Sequence, residues 1–149
     1  WGPEQVGYIF ALIGVVAIIT QVKVLSAITS KIGEYQTLIT SVLILALGFG
    51  IISLTNYIPL FMIGNILIPL GNSLANPTLT AIATENIPPE EYGEALGLLQ
   101  SAGSLGRIFG PVIAGEIYSR FNHNMPMLIS SIIFLMVTFL VIPNLKKTK

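Results

Sequence analysis

The chain has 149 residues, of which 53% are hydrophobic and only 9% are charged, and its mean hydropathy is +0.82. Soluble domains carry roughly 25% charged residues because their surfaces face water, so this composition excludes a soluble globular protein. The net charge is zero and there is no cysteine, which argues against nucleic-acid binding, disulfide bonds and thiolate metal sites.

Five apolar stretches are long enough to cross a bilayer, whose hydrocarbon core requires about 20 helical residues. Transmembrane β-strands would instead be about ten residues long with alternating polarity. The sequence therefore predicts an all-α integral membrane protein with five transmembrane helices. The predicted spans cover residues 7–29, 37–54, 60–84, 95–118 and 125–142.

The basic residues outside the spans predict how the helices are oriented. The loops and tail on one side carry Lys31, Lys146, Lys147 and Lys149, whereas the other side carries Arg120. Because lysine and arginine are enriched on the cytoplasmic side, we expect a cytoplasmic C-terminus and an external N-terminal end. The chain opens at Trp1 without a methionine or the basic segment of a signal peptide, so we expect it to continue a longer protein.

The first and third spans carry amide side chains that a lipid-facing helix does not accommodate well. Gln21 in the first span cannot extend to the membrane surface as Lys23 can, so we expect Gln21 to face the interior of the bundle. At about 100° per residue, four polar or bending residues of the third span fall within an arc of roughly 60°. They are Asn65, Pro69, Asn72 and Asn76.

Two interpretations of this asparagine face are open. The amides can hydrogen-bond to neighbouring helices, or they can line a cavity and contact water or substrate. Pro69 and Pro77 are expected to bend the helix, which favours a helix beside a moving pathway. The second and fifth spans are free of charge, and hydroxyl groups that can bond to their own helix supply their polarity, so we expect them to be peripheral. These hydroxyls include Ser41, Ser53, Ser130, Ser131 and Thr138.

The fourth span carries Arg107 near its centre. Such an arginine costs about 2.5–3.5 kcal/mol on insertion scales, so it needs a wet cavity or a partner. It either bonds to helix-end carbonyls as a structural residue or has a pathway or gating role, which we favour. The face that it shares consists of Gln100, Ser104, Arg107, Pro111 and Tyr118. A flank of small residues that would admit another helix closely consists of Gly103, Gly106, Gly110 and Ala114.

Two further polar groups have simpler interpretations. Glu116 precedes Arg120 by four residues near the end of the fourth span, so an ion pair along the helix explains it better than a role in proton transfer. His123 lies in an asparagine-rich loop and is expected to be solvated.

Two motifs resemble the C-terminal half of major-facilitator transporters. The pattern G-x-x-x-G-P-x-x-x-G of helix eleven is matched by Gly106, Gly110, Pro111 and Gly115. The loop motif that follows helix eight retains its basic residue as Lys31 and its glycine as Gly33, while Ser30 replaces its acid. The chain is most similar to helices eight to twelve of bacterial twelve-helix drug:proton antiporters, the group that includes tetracycline-efflux proteins.

This resemblance implies a secondary active transporter of the bacterial inner membrane that exports small molecules by alternating access, with a proton gradient as the expected energy source. Helices eight, ten and eleven would line the cavity or meet the N-terminal half, with Gln21, Asn65, Asn72, Asn76, Gln100, Ser104 and Arg107 in the pathway. The motif residues Lys31, Gly33, Gly103, Gly106, Gly110, Pro111 and Gly115 would serve helix packing and gating. The partners would be the bilayer, the N-terminal half and a small-molecule substrate.

No cofactor, metal or nucleic acid is expected, and no enzymatic motif such as HExxH or a Ser/His/Asp set is present. Every glutamate lies near a span end and aspartate is absent, so a titrating carboxylate for proton coupling would have to lie in the N-terminal half. An uptake carrier of the same superfamily and a membrane scaffold without transport activity are the alternatives.

Overall fold

The computed structural model describes residues 2–85 and 87–145, and the side chains of all of these except residues 3, 6 and 141–145. Helices account for all regular structure in these ranges. In chain order they are α1 (Pro3–Ile19), a π-helical turn (Thr20–Val24), α2 (Leu25–Ile32), α3 (Glu34–Leu54), α4 (Ile58–Thr84), a 3₁₀ turn (Pro89–Glu91), α5 (Tyr92–Arg120) and α6 (Met125–Leu145).

Residues with restricted or unusual backbone angles determine where the helices end. Gly33 separates α2 from α3 with φ of 81°, a left-handed conformation that glycine adopts at little cost. Tyr57 is extended and Pro59 occupies the first turn of α4, where its missing N–H is not needed. Pro88 is likewise extended ahead of the 3₁₀ turn that leads into α5. Each predicted span therefore contains a helix, with α1, the π turn and α2 forming one rod.

Three of these helical stretches are both long and apolar enough to cross a membrane: Gly7–Ile32, Glu34–Leu54 and Ile58–Thr84. The apolar stretch Met125–Leu140 of α6 is shorter. Helix α5 has 29 residues and at 1.5 Å per residue is about 43 Å long, but its glycines and polar side chains lower its hydropathy. The chain is thus an all-α membrane protein in which α5 is the least apolar of the long helices.

Helix α3 is the centre of packing in the described chain, and its most extensive interface is with α4, followed by α6. Glycine residues of α4 allow the backbones of α3 and α4 to approach each other closely. A Cβ atom on Gly71 would lie 2.9 Å from the backbone carbonyl oxygen of Ser41, and one on Gly64 would lie 3.0 Å from that of Gly48. Gly64, Gly71 and the buried Thr78 recur every seven residues, which is the spacing of a left-handed helix pair.

Within this chain α3 packs against both α4 and α6, and the expectation that the second and fifth spans are peripheral in the intact protein stays a prediction. The small hydroxyl-bearing residues Thr37, Ser41 and Ser53 are buried, whereas Leu47 and Leu54 of the same helix are exposed. Ser41 and Ser53 do bond to carbonyls of their own helix, as expected. Ser131 instead donates across the interface to the Ala46 carbonyl at 2.7 Å, close to the stacked rings of Phe49 and Phe134, whose centroids are 5.7 Å apart.

Helix α5 makes little contact with the other helices, and none of its residues is buried within the described chain. At its end Glu116 and Arg120 form the predicted ion pair, with both side chains exposed. His123 is exposed in the turn that leads to α6, as expected. The predicted cytoplasmic lysines 146, 147 and 149 lie outside the described residues.

Candidate functional site

A polar groove of about 310 Å³ lies between the first helical rod and α4. Both of its walls combine apolar side chains with uncharged hydrogen-bonding groups. The rod contributes Ile13, Ala17 and Gln21, and α4 contributes Ile68, Pro69, Asn72, Ser73 and Asn76. Gln21, Asn72 and Asn76, predicted separately from two spans, are therefore brought together in one site.

The π-helical turn positions the glutamine. Within it the backbone N–H of Leu25 bonds to the carbonyl of Thr20, five residues earlier, instead of to the usual fourth. Such a turn accommodates one additional residue and changes the faces on which its neighbours lie. Thr20 is only 2% exposed, while the adjacent Gln21 is exposed and lines the groove.

The asparagines on α4 form a connected pair. Asn76 Nδ2 donates to both the carbonyl oxygen and Oδ1 of Asn72, each at 3.1 Å. The Asn76 amide group thereby uses its donors on its own helix and leaves Oδ1 as an acceptor. Asn72 keeps its Nδ2 free of partners within the described part of the chain, so the pair offers the groove an acceptor and a donor.

Ser73 adds a polar group that helical periodicity did not predict. It lines the groove, is only 6% exposed, and its hydroxyl has no hydrogen bond to another described residue. Its carbonyl also lacks the usual helical donor, because position 77 is proline and has no N–H. The sequence could have indicated this free carbonyl, because a proline inside a helix leaves the carbonyl four residues before it without its usual N–H donor.

A second cavity of about 410 Å³ lies on the other side of the asparagine pair, between α3, α4 and α6. Its lining is almost entirely apolar and includes Phe49 and Phe134. Ile68, Asn72 and Asn76 line both cavities. The asparagine pair thus stands on the ridge where a polar groove meets an apolar one.

Asn65 is not part of this arrangement, although it shares the same face of α4. Its Nδ2 donates to the Phe61 carbonyl at 2.9 Å, and it does not contribute to the lining of either cavity. Both Asn65 and Asn76 therefore satisfy donors on their own helix. Among the described residues, no asparagine of α4 donates a side-chain hydrogen bond to another helix.

Three of the predicted pathway residues lie together on α5, apart from the groove. Ser104 Oγ donates to the Gln100 carbonyl at 2.8 Å, and Arg107 Nη2 donates to Ser104 Oγ at 3.1 Å. All three side chains are exposed. The described chain contains no acid paired with Arg107.

The motif glycines of α5 are not packed against another helix within the described chain. A Cβ atom on Gly106, Gly110 or Gly115 would meet nothing within 4 Å, and one on Gly103 would meet only the guanidinium of Arg107. Pro111 is accommodated inside the continuous helix. In the loop motif, Lys31 occupies the last turn of α2 and Gly33 has the positive φ that ends that helix. The packing and gating roles of these residues remain predictions.

Comparison with known proteins places these features in a family. The Major Facilitator Superfamily profile matches residues 1–149. The chain is 27% identical over 113 residues to mouse major facilitator superfamily domain-containing protein 10, covering 76% of the chain and 25% of that protein. It is 32% identical over 87 residues to the multidrug resistance protein MdtH of Photorhabdus laumondii, covering 58% of the chain and 22% of that protein.

The class C tetracycline resistance protein of Escherichia coli is 26% identical over 119 residues, covering 80% of the chain and 30% of that protein. The chain thus spans about a quarter of the length of the curated relatives that it matches. No solved structure shows a significant match. Because the profile covers the entire sequence and the fold is all-α with long apolar helices, the chain belongs to the major facilitator superfamily, a family of multi-pass membrane transporters rather than of enzymes.

Proposed function

We propose that this chain is part of a secondary active transporter that exports drugs or other small molecules by alternating access, with the polar groove lining the pathway. The observation that carries this proposal is the convergence of Gln21, Asn72 and Asn76 on one groove between two helices. Uncharged amides at membrane depth are costly unless they meet water or a ligand. A pathway provides both.

The adjoining apolar cavity supports the choice of substrate class. A drug-sized molecule requires mostly apolar walls with a few polar groups that orient it. The asparagine pair stands between walls of both kinds. The similarity to a multidrug resistance protein and to a tetracycline resistance protein points in the same direction.

Within this proposal the chain corresponds to helices eight to twelve of the transporter, in a bacterial inner membrane. Proton coupling would then depend on a carboxylate elsewhere in the protein. The described glutamates lie at or near helix ends, and the exposed Glu116 is already paired with Arg120. The N-terminal half would supply the titrating group and the other wall of the pathway.

The test is transport by the intact protein in inverted membrane vesicles. On imposing a proton gradient, we expect uptake of tetracycline or a fluorescent drug, abolished by a protonophore. Asn72→Ala should slow this transport because it removes a polar group from the groove, whereas Ile133→Ala, at an exposed site of α6 that lines neither cavity, should not. Uptake into right-side-out vesicles instead would establish an import carrier. No gradient-driven flux of any tested solute in either direction would favour a scaffold.

A further inference from the structure

Arg107 is held in a defined position by its own helix. The Ser104 hydroxyl proton is used in the bond to the Gln100 carbonyl at 2.8 Å, so an oxygen lone pair is left to accept from Arg107 Nη2 at 3.1 Å. The two bonds form a short relay along one face of α5. They restrict a long side chain that would otherwise sample many rotamers.

Gly103 provides the space for this arrangement. A Cβ atom at position 103 would lie 3.6 Å from Arg107 Nη1 and 3.9 Å from Nη2. The guanidinium therefore lies against the surface of the preceding helical turn, over a residue without a side chain. A methyl group at that place would be in ordinary contact with the guanidinium, but a branched side chain would displace it.

The guanidinium retains most of its hydrogen-bonding capacity. Arginine has five N–H donors in a planar fork, and only one has an acceptor within the described ranges 2–85 and 87–145. The Arg107 side chain is exposed. Among the described residues the one arginine–carboxylate pair is Glu116–Arg120, so Arg107 has no carboxylate partner there. A permanent positive charge near the middle of a membrane helix requires an opposite charge or water.

From these contacts we propose that Arg107, positioned by Ser104 and Gly103, forms a binding site for a carboxylate. A carboxylate matches the planar fork in a bidentate manner, which an alcohol or an amide cannot do with equal strength. The carboxylate belongs either to a soluble anion in the pathway or to an acidic side chain elsewhere in the intact protein. Placing the site in the pathway rests on the proposed function, but carboxylate binding is tested without transport.

The experiment is chemical modification of the intact protein with phenylglyoxal, followed by peptide mass spectrometry. This chain has two arginines. Arg120 serves as an internal comparison for the benzoate treatment only, because its own partner Glu116 is a carboxyl group that carbodiimide can block. We expect benzoate, but not its neutral analogue benzamide, to slow the modification of Arg107 while Arg120 changes little. If an acidic side chain already occupies the site, Arg107 should react slowly at first and faster after carboxyl groups are blocked with dicyclohexylcarbodiimide. A rate at Arg107 that responds to neither treatment overturns the proposal.

Variants test whether Ser104 and Gly103 act by positioning the guanidinium. In the soluble-anion case the readout is the benzoate concentration that gives half protection, and in the side-chain case it is the protection relieved by carbodiimide. Ser104→Ala should raise the half-protecting benzoate concentration about three- to tenfold, as expected for one lost hydrogen bond. In the side-chain case it should lower the protection that carbodiimide relieves by the same factor. Ser104→Thr should preserve it because the hydroxyl remains.

Gly103→Val should weaken protection as Ser104→Ala does, and Gly103→Ala should have a smaller effect. Gly97→Val is the matched control, because a Cβ atom at Gly97 meets nothing within 4 Å and the residue lies on the same helix. Equal effects at positions 97 and 103 would show that valine disturbs α5 in general, and the positioning role of Gly103 would then be wrong.

Discussion

Single polar residues on one helical face differ in how their hydrogen bonds are satisfied. Asn65 donates to its own helix and lies outside both cavities, whereas Asn72, at the ridge between them, accepts from Asn76 at Oδ1 and has no partner for Nδ2 among the described residues. Ser73 is almost completely buried and still has an unbonded hydroxyl within the described chain. Residues that share a face on the helical wheel therefore differ in which of their polar atoms are available to a ligand.

Cysteine substitution can distinguish a wet face from a packed one. In the intact protein we expect cysteines at Gln21, Asn72 and Asn76 to react quickly with a hydrophilic methanethiosulfonate reagent, because these side chains are exposed in the groove. Cysteine at Leu74, where the leucine has no exposed surface, should react slowly. A cysteine at Asn65 should react at an intermediate rate. Equal protection at all five positions would mean that the amides only join helices.

Ser131 provides a prediction about a bond between helices. Its hydroxyl donates to the Ala46 carbonyl in a buried interface, and such bonds contribute about 0.6 kcal/mol on average and at most about 1.7 in membrane proteins. Ser131→Ala should lower the free energy of unfolding within this range, measured by unfolding in mixed detergent micelles. Ser130→Ala, which removes a bond to the Pro126 carbonyl of the same helix, should cost less. The reverse order would contradict the role of Ser131 in joining α3 and α6.

At the scale of helices, glycine has different consequences at different sites. On α4, Gly64 and Gly71 permit contact between backbones, whereas Gly106, Gly110 and Gly115 of α5 face open space in this chain. The glycine-rich motif of α5 was the more conspicuous pattern in the sequence. The tight interface instead forms at the less conspicuous seven-residue repeat of α4.

Alanine substitution measures this difference between helices. In Gly71→Ala the new methyl carbon would lie 2.9 Å from the Ser41 carbonyl oxygen, so α3 and α4 must move apart. We expect a loss of about 1–3 kcal/mol in the free energy of unfolding, the usual cost of overpacking. Gly97→Ala, in open space on α5, should be neutral or slightly stabilising because alanine favours helix. If Gly71→Ala leaves the free energy of unfolding unchanged, the α3–α4 interface is looser than described.

For the whole molecule, α3, α4 and α6 form a packed group among the described helices, and α1 and α5 each make less extensive contacts with it. The chain covers about a quarter of the length of its curated relatives. The exposed faces of α5, including Arg107 and the motif glycines, fit a helix that meets another part of the intact protein. This placement follows from the proposed function and is not a property of the chain alone.

The predicted orientation has a direct test in the intact protein. A reporter that is active only in the cytoplasm should be active when fused after Lys149, because lysine-rich tails are retained on the cytoplasmic side. The same reporter inserted at Asn122, between α5 and α6, should be inactive, and a reporter that requires export should show the opposite pattern. If the two sites exchange their activities, the lysine distribution does not orient this protein.

The amino-acid sequence was sufficient to predict the helical class, the membrane environment, the five helical regions and the ion pair of Glu116 with Arg120. These properties depend on composition, on residues within one turn of each other, and on local breaks such as Gly33 and Pro59. The resemblance to the major facilitator superfamily followed from local motifs and was confirmed by the match over residues 1–149. The assignment to helices eight to twelve of a drug:proton antiporter stays a prediction.

Tertiary contacts decided which face of each helix has a partner. The π turn at Thr20–Val24, the central position of α3 and the bond from Ser131 to Ala46 could not be predicted from helical periodicity. Periodicity groups residues of one helix on a face, but the atoms that meet that face come from distant parts of the chain. A buried serine therefore bonds to its own helix or to its neighbour according to how closely two backbones approach, and only the packed structure determines that distance.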